Sequence, residues 1–102
     1  MAKIEELRRQ YLELVNQELP EQAKSRDFPV RFNHCFARII LDNLFQCCWY
    51  EKIDRRQGAA YKQLSEEELQ KAIALAESII NSRDRYLQEL NQNSLRWRGK
   101  FD

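Results

Sequence analysis

The chain has 102 residues, enough for one domain, and its formal charge is only +1, from 17 Lys and Arg against 16 Asp and Glu. This balance gives no global electrostatic reason to bind nucleic acid or an anionic membrane, so we expect neither as a partner. The content of two Gly and two Pro favours long helices over a turn-rich sandwich or barrel. No apolar run approaches the roughly 20 residues that span a bilayer.

The N-terminal residues are charged from Lys3 onward and lack an apolar signal core, which predicts a cytoplasmic protein. The three cysteines, Cys35, Cys47 and Cys48, do not follow a disulfide-framework or zinc-ligand spacing, so we expect reduced thiols and no metal. Two glycines cannot build a Gly-rich phosphate loop, and we therefore expect no nucleotide cofactor.

The first predicted helix begins near the N-terminus and extends to about Pro20. Apolar residues recur there at three- and four-residue spacing: Ile4, Leu7, Tyr11, Leu14 and Val15. Pro20 either ends this helix or begins a short second turn that runs to Arg26, because proline fits the first helical position. The next break is at Asp27–Pro29, since the residue before proline avoids helical angles.

The segment from about Val30 to Lys52 is apolar almost all round and contains no Gly or Pro. A helix of this kind is typically buried, so we predict a central helix about 30 Å long. The other helices would cover it. The predicted fold is all-α: a small helical bundle around this buried helix, in a single domain that spans residues 1–102.

Local signals place the remaining elements. Asp54–Gly58 predicts a loop, and Ser65 with Glu68 forms a capping box at the start of a helix that ends near Asn81. A last helix begins at Ser82–Arg85 and closes at Asn91–Ser94. It is followed by a short basic-aromatic tail, residues 95–102.

A polar stripe marks the central helix. His34, Arg38 and Asp42 are spaced by four residues and so share one side of it. One interpretation is a polar pocket that binds a small anion or acid, with His34 titrating near neutrality. The other is an internal ion-pair ladder that fixes helix packing, which we favour because buried networks are often only structural.

The tail carries the second candidate site. Arg96, Trp97, Arg98 and Lys100 lie within five residues, and such a segment could anchor a partner protein. Alternatively, Trp97 folds back onto the bundle and is a core residue. Three cations are too few for tight binding to nucleic acid.

Four stretches of the chain resemble a family of small bacterial proteins, cyanobacterial ones in particular, some of which are labelled GNAT-type acetyltransferases. The resemblance extends from about Leu12 onward and is carried by Phe32–Asn43, Trp49, Ala60–Leu64 and Asn93–Lys100. The label implies an acetyl-CoA enzyme with a mixed α/β fold and a Gly-rich loop. This chain departs from that pattern in its few glycines and its helical periodicity.

Two function classes remain. The first, which we favour, is a non-enzymatic binding or regulatory module that acts through a protein partner, with a homodimer as one form, or through a small ligand. The second is an acyl-CoA-dependent enzyme or acyl-CoA-binding protein with His34 and Asp42 as acid–base residues. We assign no catalytic residue, because adjacent helical residues such as His34 and Cys35 do not face each other.

Overall fold

Helices account for the regular structure of residues 3–99, the part of the chain that this computed structural model describes. These residues contain no β-strand, and none of their helices is long and apolar enough to cross a membrane. The all-α prediction is therefore confirmed. The α-helices are α1 Lys3–Glu13, α2 Leu19–Ala23, α3 Asn33–Phe45, α4 Glu66–Asn81 and α5 Asp84–Trp97.

A π-helical segment, Leu14–Glu18, joins α1 to α2 and makes one continuous helical arm over residues 3–23. Its wider turn shows in the hydrogen bond from the Leu19 N–H to the carbonyl of Leu14, five residues earlier. Pro20 lies in the first turn of α2, directly after the π-helical segment. Of the two predicted roles for Pro20, the structure has the start of a second helix, which ends at Ala23.

The central helix is α3, and it is shorter than predicted. Its buried side chains, Phe36, Ile39, Ile40 and Leu41, lie in the middle of the core. The helix ends at Gln46, whose left-handed conformation (φ 58°) turns the chain away from the helix axis. The predicted bounds of Val30–Lys52 are therefore wrong, because Cys47, Cys48 and Trp49 are partly buried from the segment that follows the helix.

Three short 3-10 turns follow α3: Trp49–Glu51, Arg55–Gln57 and Ala60–Gln63. The predicted loop at Asp54–Gly58 is confirmed, and Gly58 has a φ of 114° that favours glycine. The capping box of α4 is confirmed too. The Glu68 N–H donates to Ser65 Oγ (3.1 Å), and the Ser65 N–H donates to Glu68 Oε1 (2.9 Å).

The last helix is longer than predicted. It passes through Asn91–Ser94, where a stop was expected, and ends at Trp97. The polar side chains of this stretch do not end the helix because several of them bind to α3 instead of competing for their own backbone. The segment after the last helix therefore begins at residue 98, and not at residue 95 as predicted.

One arginine joins the first arm to the turn between α4 and α5. Arg26 donates from Nε to Asp84 Oδ1 (2.7 Å), from Nη2 to the Ser82 carbonyl (2.6 Å) and from Nη1 to the Ile80 carbonyl (2.9 Å). The carbonyls at the end of α4 need external donors, and this guanidinium supplies them. Arg26 thereby fixes the segment after α2 against the turn between α4 and α5.

Candidate functional site

The predicted polar stripe on α3 is divided by the structure. His34 is exposed, and its ring stacks on that of Phe32 with the centroids 5.9 Å apart and the planes 2° from parallel. Arg38 turns to α5, where it donates to Ser94 Oγ (2.8 Å) and Asn91 Oδ1 (2.9 Å). Asp42 is fully buried. His34 is thus separate from the other two, whereas Arg38 and Asp42 both bind the hydroxyl of Ser94.

Asp42 is the centre of a buried hydrogen-bond network. Its carboxylate accepts from Ser94 Oγ (2.6 Å), from Arg98 Nε (2.7 Å) and Nη2 (3.2 Å), and from the backbone N–H of Trp49 (2.9 Å). We call Asp42, Ser94, Arg98 and the Trp49 amide the Asp42 network. A sealed carboxylate with four donors cannot exchange protons with an external substrate as the structure stands. It holds α3, α5 and the following loop together.

The ion pair in this network is Asp42 with Arg98, not Asp42 with Arg38. The hydrogen bond to Asp42 raises the pKa of Arg98, whereas burial lowers the pKa of Arg38, whose acceptors among the described residues are neutral. Both guanidinium groups remain charged, because arginine keeps its proton in proteins. Sequence reasoning found Asp42 and missed its partner, which lies 56 residues away.

The predicted partner-binding tail is partly absorbed into the fold. Trp97 is the last residue of α5 and is partly buried, while Arg96 is exposed. Arg98 is held by Asp42 and is therefore occupied within the protein. Lys100 lies outside the described residues.

The Asp42 network also positions two aromatic residues after α3. The Trp49 amide is bound to Asp42, and its ring packs partly against the core. Tyr50 is 43% exposed, with the guanidinium of Arg55 3.7 Å from its ring centroid and that of Arg98 4.7 Å away. Trp49 therefore lies on the inner side of this turn.

Trp49 lines a pocket of about 230 Å³ that is partly open to solvent. We call this the apolar pocket. Its walls come from α1, the π-helical segment, α3 and two of the 3-10 turns, and all of its lining residues but one are apolar or aromatic. They are Tyr11, Leu12, Val15, Asn16, Ala37, Leu41, Trp49, Ala60 and Tyr61.

Each wall is positioned by a specific feature of the fold. The π-helical segment contributes Val15 and Asn16, consistent with the frequent use of π-bulges at functional sites. The small side chains of Ala37 and Ala60 leave the space that defines the pocket. The turn that carries Tyr61 is tied to α1 by Arg8, which donates to the Lys62 carbonyl (2.9 Å). Sequence reasoning did not find this pocket, because its residues come from four distant segments.

The chemistry of the apolar pocket is that of binding. Its only titratable side chains are two tyrosines, and burial raises the pKa of Tyr11 further above the neutral range. No group of three metal-ligating side chains occurs among residues 3–99. The pocket can therefore exclude water from an apolar group and contact it with aromatic rings.

Other depressions on the described residues are larger but mostly polar. One, of about 350 Å³, has glutamates around Leu14, Ile73 and Ile80, and another, of about 420 Å³, lies along residues 50–56. Their charged side chains are well solvated, so these depressions offer less gain on binding an apolar ligand.

No protein-family model, curated protein or solved structure matches this chain. The interpretation of the pocket therefore depends on its own residues.

Proposed function

We propose that this protein is a non-enzymatic binding module whose apolar pocket takes up one apolar side chain of a protein partner. The observation that carries the proposal is a partly open cavity with an almost wholly apolar and aromatic lining. Buried aromatic and aliphatic anchors in such pockets dominate the energetics of many protein–protein interfaces. We also propose that the protein is related to the small cyanobacterial proteins it resembles. A cytoplasmic location is part of the proposal, and the free thiols of Cys35, Cys47 and Cys48 support it.

The volume of the pocket favours a side chain over a larger ligand. Pockets for drug-sized molecules and cofactors measure about 300–1,000 Å³. The apolar pocket, at about 230 Å³, is smaller. An engineered apolar cavity of about 150 Å³ takes up benzene, so a phenyl ring or a branched aliphatic group is the right size here.

The acyl-CoA alternative has less support. Coenzyme A carries several phosphates that need cationic partners, and the lining of the apolar pocket contains no Lys or Arg. The proposed acid–base pair is also separated, with His34 exposed and Asp42 sealed. A protein partner therefore remains the better-supported choice.

The test is selection of peptides from a random phage-displayed library on the immobilised full chain. We expect enriched peptides to share one aromatic or large aliphatic residue whose replacement by alanine abolishes binding. Selection that yields no such residue would contradict the proposal.

The control fills the pocket. Ala37→Phe places a ring in the cavity from the α3 wall, and Ala60→Phe does so from the opposite turn. Either variant, if it melts like the wild type, should lose the selected peptides. Equal binding by a folded, filled variant would place the peptide site elsewhere and overturn the assignment.

A further inference from the structure

The seam between α3 and α5 has hydrogen-bond donors left over and its acceptors already in use. Arg38 has five N–H groups, and described residues accept from two of them, through Ser94 Oγ (2.8 Å) and Asn91 Oδ1 (2.9 Å). Ser94 Oγ in turn donates to Asp42 Oδ2 (2.6 Å), and both oxygens of that carboxylate accept from Arg98. The remaining polar atoms of Arg38 are therefore donors.

Asn91 adds a further donor beside Arg38. Its Oδ1 accepts from the guanidinium, so the Nδ2 amino group is the end of the same amide that has no acceptor among the described residues. Both side chains are only partly buried, and neither has a sealed polar atom without a partner. These donors are therefore open to solvent. A group of donors without acceptors suits an oxyanion, which accepts hydrogen bonds and donates none.

Positive charge is in excess at the same place. Arg38 and Arg98 are joined through the Ser94 and Asp42 side chains, and the guanidinium groups of Arg98 and Arg55 lie 4.7 and 3.7 Å from the ring centroid of Tyr50. Of these three arginines, only Arg98 has a carboxylate partner among the described residues. Two positive charges are therefore unmatched.

The wider charge distribution also favours an anion here. On the neighbouring turns, Asp54 pairs with Arg56 (3.2 Å) and Glu51 is followed by Lys52, so these carboxylates do not cancel the excess. Residues 3–23 pack on α4, and together they carry nine acidic and four basic side chains, whereas the rest of the chain carries seven and thirteen. The seam between α3 and α5 belongs to the basic part, whose potential attracts anions.

We propose that Arg38 binds the phosphate group of a small molecule, with the Asn91 amide as a second donor and with Arg98 and Arg55 supplying positive charge. A guanidinium can donate two parallel hydrogen bonds to two phosphate oxygens. A phosphate monoester carries nearly two negative charges at neutral pH, which match the two unmatched positive ones. Arg38 does not line the apolar pocket, so this site is separate from the proposed protein-binding function.

The existing contacts of Arg38 prepare it for binding. Ser94 is fully buried and Asn91 partly so, and both hold the guanidinium on α5 before any ligand arrives. A side chain that is already ordered loses little rotamer freedom when it binds. Two or three charge-assisted hydrogen bonds from such a group lead us to expect a dissociation constant of about 1 mM for free phosphate.

An NMR titration of the ¹⁵N-labelled full chain with inorganic phosphate at pH 7.5 tests the site. Saturable shifts should appear at the Arg38 Nε–H and the Asn91 Nδ2 group, and sodium chloride at equal ionic strength should not produce them. Methyl phosphate should bind as inorganic phosphate does, and acetate about tenfold more weakly because it has a single charge. Equal shifts with chloride, or equal affinity for acetate, would overturn the proposal.

Substitutions locate the binding group. Arg38→Gln should abolish the phosphate-induced shifts at Asn91, and Arg38→Lys should weaken binding about tenfold, because lysine keeps the charge and lacks the two parallel donors. Arg85→Gln is the matched control, since Arg85 is also next to α3 in neither contact nor burial and pairs with Glu89 on the surface of α5. Unchanged binding by folded Arg38→Gln, or an equal loss in Arg85→Gln, would contradict the assignment.

Asn91→Asp keeps the proposal testable if Arg38→Gln does not fold. It preserves the shape of the side chain, replaces the amino donor with an oxygen and gives Arg38 an internal carboxylate. Phosphate binding should therefore fall at least tenfold, with the helical circular dichroism spectrum unchanged. A folded Asn91→Asp chain that binds phosphate like the wild type would show that the site is elsewhere.

Discussion

Asp42 connects three separate parts of the fold. It is fully buried and joins α3 to α5 through Ser94 and Arg98, and to the following loop through the Trp49 amide. Its charge is tolerated inside the protein because each carboxylate oxygen has donors. The same contacts place Trp49 against the apolar pocket, so a structural network supports the candidate site.

Asp42→Ala should lower the free energy of unfolding by about 3–5 kcal/mol, because Arg98 would remain partly buried without its counterion. Urea unfolding followed by circular dichroism measures the change. Glu89→Ala is the matched control, since Glu89 pairs with Arg85 on the exposed face of α5 and its loss should matter little. A similar small change in both variants would mean that Asp42 is not a central contact.

Asp84 gives a prediction about pH. Its pKa is lowered, first by the side-chain hydrogen bond from Arg26 and then by the Asp27 backbone N–H. The folded pKa lies below the unfolded one, near 4, so the ion pair stabilises the protein fully above that value. Its contribution is lost as the pH falls through the folded pKa.

Asp84→Asn should therefore be less stable than the wild type at neutral pH and approach it in strong acid. Urea midpoints at a series of pH values for both proteins give this comparison. A difference that stays constant from neutral pH to about pH 2 would show that the Asp84 charge contributes nothing.

At the scale of elements, the end of α3 decides where the aromatic loop begins. Gln46 has the left-handed conformation (φ 58°) that glycine adopts without cost at a helix C-terminus. Because the helix stops here, Trp49 is not part of a further helical turn of α3. It packs against the core from the segment that follows. The observed helix has 13 residues, and a helix over Val30–Lys52 would carry Trp49 away from the position where it lines the apolar pocket.

Gln46→Gly separates these two structures by the sign of its effect. In the structure described here it should raise the free energy of unfolding by about 1 kcal/mol, because it removes left-handed strain. In a helix that continued to Lys52 it would lower it by about 1 kcal/mol. Denaturant melts of the wild type, Gln46→Gly and Gln46→Ala determine which sign applies.

Removal of Leu95–Asp102 should be strongly destabilising, because it deletes the last turn of α5 and the counterion of Asp42. We expect a loss of about 3–5 kcal/mol, most of which Arg98→Ala alone should reproduce. Thermal melts of both variants test this. A truncated chain with the wild-type melting temperature would show that these residues do not stabilise the fold, and would favour a separate binding tail.

At the scale of the whole molecule, local signals predicted local structure. The capping box at Ser65 and the turn at Gly58 depend on neighbouring residues, and both were predicted correctly. The all-α bundle followed from the helical period and the scarcity of Gly and Pro.

Features that depend on distant residues could not be predicted in the same way. Arg26 with Asp84 and Asp42 with Arg98 pair across 58 and 56 residues, and no local pattern marks either partner. Apolar periodicity also could not show that Trp49 reaches the core from a loop, since burial is the same in both cases. The apolar pocket combines several such features, so it becomes visible only in the folded chain.

The most direct test of the account is a titration of the ¹⁵N-labelled full chain with p-cresol, an analogue of an aromatic side chain, followed by NMR. If the apolar pocket binds aromatic groups, saturable shifts should be concentrated on the indole N–H of Trp49 and the amides of Ala37 and Tyr61, and should be absent in folded Ala37→Phe. Shifts spread over the surface, or equal shifts in the filled variant, would contradict the apolar pocket as the binding site.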